Sequence, residues 1–323
     1  MYLGRKRTAM KAHYSTAYGG SDVSVFGDLP DPVPNVNELL VEVKAASINP
    51  VDWKIRNGDV KFISGSKFPR IYGADFAGVV RETGKGVKGF KPGDRVYGSR
   101  SVILDRHGAM AQLRAVDQKY VRVIPEGMSF NEAASLPIAA LTALNGLRKC
   151  DVRAGSQVLI NGGTGGVGHF AVQIARARGA VVTATCSAEN TELARSLGAD
   201  EVMGYSPEEL AATDKKFDAI VDAYGKMEFR HVCHLLKRKG TYTSTLFIPP
   251  PYLSMIFVRL VFGKKLKSAN MRRHPEDWKE LEGLFAEGKL KPLLENIFPL
   301  ERAADAFELA EKGKPRGKIV VTV

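Results

Sequence analysis

The sequence predicts an α/β protein that combines a doubly wound parallel sheet with a β-rich, barrel-like domain. Three observations support this fold class. A glycine-rich turn at residues 163–168 follows an apolar strand, strands and helices alternate from there to residue 245, and short β segments separated by glycine and proline fill the chain before residue 130. With 323 residues, 44% of them hydrophobic and 25% charged, the chain is long enough for two domains.

The barrel-like domain comes first in the chain. Its expected β segments are residues 38–43, 76–80, 94–97 and 118–123. Because this part carries no cofactor fingerprint, we expect it to bind the substrate. The tail from residue 317 reads as a strand that returns to this domain. The predicted domains are therefore residues 10–133 with 278–323, and residues 134–277.

The glycine-rich turn is the most specific feature of the second domain. Val158 to Ile160 reads as a strand, and Phe170 and Ile174 give the following helix an apolar stripe. Between them stands a G-x-G-x-x-G motif made of Gly163, Thr164, Gly165, Gly166, Val167 and Gly168. Such glycines let phosphate oxygens approach the amide groups at the positive end of a helix. The flanking strand and helix favour a dinucleotide site over a plain glycine turn.

Alternating elements extend this unit into a Rossmann domain. Further strands are expected at residues 180–185, 201–205, 217–222 and 241–245, with helices at 139–149, 191–198 and about 227–237. Strands and helices in this order predict a parallel sheet covered on both faces.

The residues after the second strand bear on the choice of cofactor. NAD-preferring members of this fold carry an acidic residue there, which binds the ribose hydroxyls. This chain has Cys186, Ser187 and Ala188 instead. A serine hydroxyl can donate to a 2′-phosphate, so NADPH is the expected cofactor. The alternative is that Ser187 is an ordinary turn serine.

Charge and cysteine usage limit the partners. The net charge is +12, but the basic residues are scattered apart from clusters at 237–239 and 264–267, and no nucleic-acid motif accompanies them. We expect no nucleic-acid partner, and leave open a weak association with a membrane surface. The three cysteines have neither metal-ligand nor disulfide-framework spacing. No secretory signal or membrane span is expected, and the expected location is cytoplasmic.

One cluster could be drawn as a metal site. His231, Cys233 and His234 fall within one helical turn. No fourth ligand is suggested, so the sequence favours a helix surface there, and no metal is expected.

Nearly the whole chain from Met10 resembles the zinc-free medium-chain dehydrogenase/reductases, specifically the quinone oxidoreductase (zeta-crystallin-like) branch. The matching segments occur in the family's order and are residues 47–54, 73–78, 90–96, 136–143, 163–168 and 316–320. Within the branch, the segments at 49–54 and 183–186 look most like plastid-envelope enone oxidoreductases and the mitochondrial reticulon-interacting oxidoreductase. The resemblance implies a GroES-like fold for the first domain.

The same resemblance bears on zinc. Zinc alcohol dehydrogenases of the superfamily use a cysteine and a His-Glu pair as catalytic ligands. The equivalent segments here, residues 46–50 and 72–75, contain no thiolate and no imidazole, and no cysteine precedes Cys150. Without a Lewis acid, alcohol dehydrogenation is disfavoured.

The resemblance also implies a reaction. Hydride from NADPH is delivered to a quinone or to the β-carbon of an α,β-unsaturated carbonyl, and negative charge then develops on the substrate oxygen. Asn49 and Lys54 are the expected catalytic residues by family position. The alternatives are that Lys54 is a surface lysine beside Trp53 and that Asn49 holds backbone.

Further cofactor contacts follow from family position. Thr142 is expected near the phosphates or nicotinamide, Tyr205 near the adenosine, and Arg316 close to the cofactor, with Ala223 and Thr245 completing the set. Their alternatives are a threonine that bonds its own helix, a tyrosine packed in the core and an exposed surface arginine.

Two other functions and one assembly are kept in view. The chain could reduce an enoyl thioester, or it could be a non-catalytic NADPH-binding protein that uses its basic surface on RNA or a membrane. A homodimer is expected from the resemblance and from the apolar run at residues 253–262.

Overall fold

The computed structural model describes residues 9–103, 105–245 and 258–323. It divides into two compact units, residues 1–138 with 294–323 and residues 139–293. The boundary expected at residue 278 is therefore wrong, because it falls inside the helix Pro275–Ala286. That helix belongs to the second unit, where Arg148 pairs with Asp277 and both Arg148 and Arg178 pair with Glu280.

The first unit contains two sheets. Its strands are β1 (Ala9–Ser15), β2 (Ser24–Pro30), β3 (Glu38–Ser47), β4 (Arg70–Ile71), β5 (Asp75–Thr83), β6 (Arg95–Ser99), β7 (Leu113–Asp117), β8 (Val121–Val123), β15 (Asn296–Pro299) and β16 (Ile319–Thr322). One sheet has the order β2-β1-β4, and the other has the order β15-β16-β3-β5-β6-β8, with β7 pairing to β3. The helices are Pro50–Asn57, Lys61–Ser64, Phe130–Ser135 and Ala303–Lys312. The tail strand returns to this unit, as predicted, and lies antiparallel to β3.

The second unit is the predicted doubly wound sheet. Its strands are β9 (Gln157–Asn161), β10 (Val181–Thr185), β11 (Glu201–Met203), β12 (Phe217–Asp222), β13 (Leu236–Ser244) and β14 (Lys265–Ser268). All pairs are parallel, and the spatial order is β11-β10-β9-β12-β13-β14. The helices are Pro137–Lys149, which enters this unit at residue 139, Gly168–Ala177, Thr191–Ser196, Pro207–Ala211, Phe229–Val232 and Pro275–Ala286. The chain order doubles back between β9 and β12, which is where this fold binds nucleotides.

The helix predicted at 227–237 is wrong in most of its length. The helix Phe229–Val232 is a single turn, a 3-10 turn follows at Cys233–Leu235, and β13 already begins at Leu236. Leu236 pairs with Phe217 of β12 and is buried with it in one apolar cluster. Sheet pairing therefore overrides a local sequence that favours helix.

The described residues bear on the metal-ligand cluster, the membrane span and the apolar run discussed for the sequence. No group of three or more His, Cys, Asp or Glu residues in the described ranges could hold a metal ion, so His231, Cys233 and His234 form no such cluster. Within those ranges no helix is both long and apolar enough to span a bilayer. Half of the apolar run at 253–262 lies outside the described residues; in the described half, Val258 is buried and Leu260, Val261 and Phe262 are exposed.

Candidate functional site

The glycine turn of the second unit connects β9 to the helix Gly168–Ala177. Two backbone hydrogen bonds attach it to β10: Gly163 N–H donates to the Thr185 carbonyl at 2.9 Å, and Gly162 N–H donates to the Thr185 hydroxyl at 3.1 Å. Inside the turn, Gly165 N–H donates to the Gly162 carbonyl at 3.0 Å. Of the first N–H groups of the helix, His169 N–H donates to the Gly165 carbonyl and Ala171 N–H donates to the Val167 carbonyl, at 3.0 Å each. The start of a helix carries partial positive charge, which favours an anion there.

The glycines of this turn serve two different purposes. A Cβ at Gly163 would stand 2.7 Å from Cβ of Ala184, and one at Gly168 would overlap the Gly162 carbonyl oxygen. These two glycines allow the helix to pack on the sheet. A Cβ at Gly165 would meet its nearest heavy atom, the same carbonyl oxygen, at 3.3 Å and would otherwise point into open space. The turn thus keeps the space beside Gly165 free, as a bound pyrophosphate requires.

A buried carboxylate organises the neighbouring strand ends. Asp222 accepts hydrogen bonds from Asn161 Nδ2 at 2.8 Å, Ser244 Oγ at 3.0 Å and the Tyr242 hydroxyl at 3.2 Å. Asn161 in turn accepts from the Thr185 hydroxyl at 2.7 Å. The network connects the carboxyl ends of β9, β10, β12 and β13 and holds them as one surface. Sequence reasoning missed Asp222, although an acidic residue directly after the apolar stretch 219–221 was a visible signal.

The network also places two of the expected cofactor residues. Ala223 N–H donates to the Asn161 carbonyl at 3.1 Å, and Thr245 N–H donates to the Asp222 carbonyl at 3.1 Å. The Thr245 hydroxyl lies 3.4 Å from the Ala223 carbonyl. Both residues therefore lie at the carboxyl ends of adjacent strands, beside the glycine turn.

The end of the second strand holds a feature that the sequence analysis missed. Ser187 follows β10 as expected, but its hydroxyl donates to the Glu189 carboxylate at 3.1 Å and accepts from Asn190 Nδ2 at 2.9 Å. An acidic group is therefore present after the second strand, at Glu189, one residue beyond the segment 186–188 where NAD-preferring members would carry it. Burial raises the pKa of the preceding Cys186, which keeps this thiol protonated and agrees with a packed cysteine.

The remaining expected contacts in this unit differ in exposure. Thr142 is buried in the helix Pro137–Lys149. Tyr205 lies two residues beyond β11 with 50% of its surface exposed, so it does not pack in the core.

In the first unit, Asn49 belongs to a buried polar cluster. Its Nδ2 donates to Asp75 at 3.0 Å, and its Oδ1 accepts from the Lys318 ammonium at 2.6 Å. Asp52 accepts from the N–H groups of Asn49 at 2.9 Å and of Gly73 and Ala74 at 3.1 Å each. Asn49 thus has the contacts of its alternative interpretation, in which it holds other protein groups.

Burial dominates the electrostatics of this cluster. It raises the pKa of Asp52 to about 7, against the lowering effect of the backbone N–H donors, and it raises the pKa of Asp75. Burial lowers the pKa of Lys318, while the two carboxylates act in the opposite direction. The cluster therefore contains one ammonium between two carboxyl groups that resist ionisation.

Lys54 and Arg316 lie outside the cluster. Lys54 is half-buried on the helix Pro50–Asn57, with Nζ 5.6 Å from the centre of the Trp53 ring, and no carboxylate of the described chain forms an ion pair with it. Arg316 is exposed and pairs with Glu295, as its surface alternative predicts. The buried cation of this motif is Lys318, two residues later, and a lysine at the start of an apolar strand was the signal for it.

The chain is similar to known oxidoreductases over most of its length. Residues 35–126 match the family model of the alcohol dehydrogenase GroES-like domain, and residues 197–321 match that of a zinc-binding dehydrogenase. A chloroplast envelope quinone oxidoreductase homolog of Arabidopsis thaliana is 35% identical over 97% of this chain and 98% of its own. An NADPH-dependent alkenal/one oxidoreductase of the same plant is 35% identical over 97% and 79%. The quinone oxidoreductase structure from Coxiella burnetii has 33% identity and a TM-score of 0.88, covering 98% of this chain and all of that chain.

Proposed function

Because this chain belongs to the quinone oxidoreductase branch of the medium-chain dehydrogenase/reductase superfamily, we propose that it transfers hydride from NADPH to a quinone or to the β-carbon of an α,β-unsaturated carbonyl. The observation that carries this proposal is the pair of prepared surfaces. The second unit has a glycine turn with open space at Gly165, and the first unit has an ammonium, Lys54, that no carboxylate in the described chain neutralises.

The chemistry that the bound nicotinamide would supply is a hydride to carbon. The protein must then stabilise the negative charge that develops on the acceptor oxygen, and a proton must reach that oxygen or the α-carbon. Lys54 is suited to both tasks, because its ammonium can donate a hydrogen bond and then the proton, and can recover a proton from solvent. The Asn49 amide is held in one orientation and supplies a second donor from the same segment.

The residues of the second unit would hold the dinucleotide. The turn at 163–168 would bind the pyrophosphate in the open space beside Gly165, with Ala223 and Thr245 at the neighbouring strand ends. The Ser187 hydroxyl donates to Glu189 and would donate to a bound 2′-phosphate instead, which supports NADPH. Glu189 opposes this choice by its charge, so we propose a preference for NADPH that is moderate in size.

We propose that turnover requires no metal ion. The segments equivalent to the zinc ligands of the superfamily present the Asn49 amide, the Ala74 methyl group and the Asp75 carboxylate, and that carboxylate already accepts three hydrogen bonds. Zinc in proteins prefers thiolate and imidazole ligands. Activity that survives chelation, with substoichiometric zinc by elemental analysis, is the expected result.

A panel of acceptors tests the function. Quinones, enones and enoyl thioesters are offered in turn, and NADPH oxidation is followed by absorbance. Turnover with quinones or enones supports the proposal, and turnover confined to enoyl thioesters would replace it with the alternative. NADPH binding without turnover on any acceptor, together with salt-sensitive binding to RNA or anionic vesicles, would support a non-catalytic protein.

We also propose a homodimer. Strand β14 ends the six-stranded sheet, and Leu260, Val261 and Phe262 immediately before it are exposed. An exposed strand edge beside apolar side chains is a typical place for two copies to pair across a two-fold axis. Light scattering at micromolar concentration should give twice the chain mass of 35.2 kDa, and Leu260→Lys should reduce it. A monomer under those conditions would refute this proposal.

A further inference from the structure

We propose that Lys318 is a positioning residue for catalysis: it fixes the orientation of Asn49 and, through it, the start of the helix Pro50–Asn57 that carries Lys54. This inference rests on the proposed function, since it assigns work to Lys318 through the residues proposed to act on the substrate. Sequence reasoning attached no role to Lys318. Among the residues expected to contact the cofactor, only Arg316 is close to it in the sequence.

The Lys318 ammonium is held by hydrogen bonds on the residues that begin the helix. Lys318 is 3% exposed, and its Nζ donates to the Ile48 carbonyl at 2.9 Å and to Asn49 Oδ1 at 2.6 Å. On the other side of the same amide, Nδ2 donates to Asp75 at 3.0 Å. A flipped amide would place its NH₂ group against the ammonium and its oxygen against the carboxylate. The arrangement therefore permits one orientation of Asn49.

The fixed orientation of Asn49 determines which of its amide donors remain for another partner. An amide nitrogen has two N–H donors, and Asp75 uses one of them. A cation at the amide oxygen withdraws electron density from the nitrogen, which strengthens the second N–H as a donor. Lys318 thus prepares Asn49 to face developing negative charge without touching the reacting atoms itself.

Hydrogen bonds connect the Lys318 ammonium to the helix that carries Lys54. Asn49 N–H donates to Asp52, and Asp52 also accepts from the backbone at Gly73 and Ala74. Lys318, Asn49 and Asp52 therefore connect the tail strand to the first turn of the helix Pro50–Asn57, which has 8 residues. A short helix fixed at its first turn holds the lysine five positions beyond Asn49 in a defined place.

Position 318 needs a cation because buried carboxylates lie in the same cluster. Asp52 and Asp75 are fully buried, and an unpaired buried carboxylate is costly. Other buried cations of this unit direct their hydrogen bonds elsewhere: Arg114 donates to the carbonyls of Gly73 and Ala74, and Arg56 pairs with Glu311. A neutral side chain at 318 would leave the amide oxygen of Asn49 without its donor and the carboxylates with less compensation.

The test compares Lys318→Met with Lys318→Arg, and uses Lys312→Met as a matched control, because Lys312 is exposed and pairs with Glu308 on the surface. With the best acceptor from the panel, Lys318→Met should lower kcat by about ten- to a hundred-fold, the size expected when a catalytic group is misplaced. NADPH affinity by fluorescence should stay within about twofold, Lys318→Arg should recover part of kcat, and Lys312→Met should match the parent. In a Lys54→Ala background, Lys318→Met should cost little more.

Two further measurements separate positioning from simple charge balance. Asp75→Asn combined with Lys318→Met removes one charge of each sign; it should restore thermal stability while kcat stays low. Recovery of kcat in that double variant would overturn the proposal, as would parent-like kcat in Lys318→Met. Hydrogen exchange of the amides at 52–57 should accelerate in Lys318→Met and not in Lys312→Met. If no acceptor is turned over, the proposed function fails, and unchanged exchange there would independently refute the positioning role.

Discussion

In the second unit the proposed binding surface is the backbone of one six-residue turn, whereas in the first unit the proposed surface is formed by side chains that lie up to 269 residues apart in the chain. The glycine turn is local, and its function depends on the absence of side chains. The cluster around Asn49 depends on the presence of particular charged side chains from three segments. The two surfaces should therefore fail in different ways when they are mutated.

The largest effect is expected at Gly165. Gly165→Val should abolish measurable NADPH binding, because the added side chain enters the space that the turn leaves open. Thermal stability should change little, since the nearest atom to the new Cβ is 3.3 Å away. Fluorescence titration and thermal unfolding measure the two quantities.

Two comparison variants sharpen this prediction. Gly168→Ala should lower the free energy of unfolding by about 1–3 kcal/mol, because its Cβ overlaps the Gly162 carbonyl oxygen. Gly283→Val, on a helix position with no heavy atom within 4 Å, should leave NADPH affinity unchanged. Retained NADPH binding in Gly165→Val would mean that the cofactor does not lie against this turn.

A smaller but still large effect is expected at Lys54. Lys54→Ala should lower turnover by about ten- to a thousand-fold, because it removes the donor to the charge on the acceptor oxygen. NADPH affinity should change much less, since the glycine turn expected to bind the pyrophosphate belongs to the other unit. Steady-state kinetics with the best acceptor, together with fluorescence titration, provide the measurement.

Lys119→Ala is the control for Lys54, because Lys119 is exposed and pairs with Asp117 in the same unit. It should behave as the parent. Unaltered turnover in Lys54→Ala would return Lys54 to the surface-lysine interpretation, and water would then be the simplest source of the proton.

The contrast between the units also explains what the sequence could predict. The turn was readable because strand, glycines and helix are consecutive, and β12 was predicted with its observed bounds, Phe217–Asp222, because four of its six residues are apolar. The helix at 227–237 was wrong because Leu236 pairs with Phe217 of β12, and the local pattern does not show this pairing. Lys318 was missed for the same physical reason, since nothing near residue 318 in the sequence indicates that Asn49 and Asp75 will surround it.

The smallest effect is expected at Glu189, where the local reading of the second unit was incomplete. The Ser187 hydroxyl has one proton and donates it to Glu189 at 3.1 Å, so a 2′-phosphate must compete for it with a carboxylate. Glu189→Gln keeps an acceptor for Ser187 and removes only the charge. NADPH should then bind about three- to tenfold more tightly, because repulsion of a phosphate that carries nearly two charges is relieved in an exposed, solvent-screened position. NADH affinity should change little, and Ser187→Asp should erase the preference for NADPH.

Glu192→Gln, at an exposed glutamate paired with Arg195, is the control and should leave both affinities as they are. Fluorescence titrations with the two cofactors at low and high salt measure the difference, which should shrink as salt increases. Equal NADPH affinity in the parent and Glu189→Gln would show that this carboxylate does not face the 2′ position.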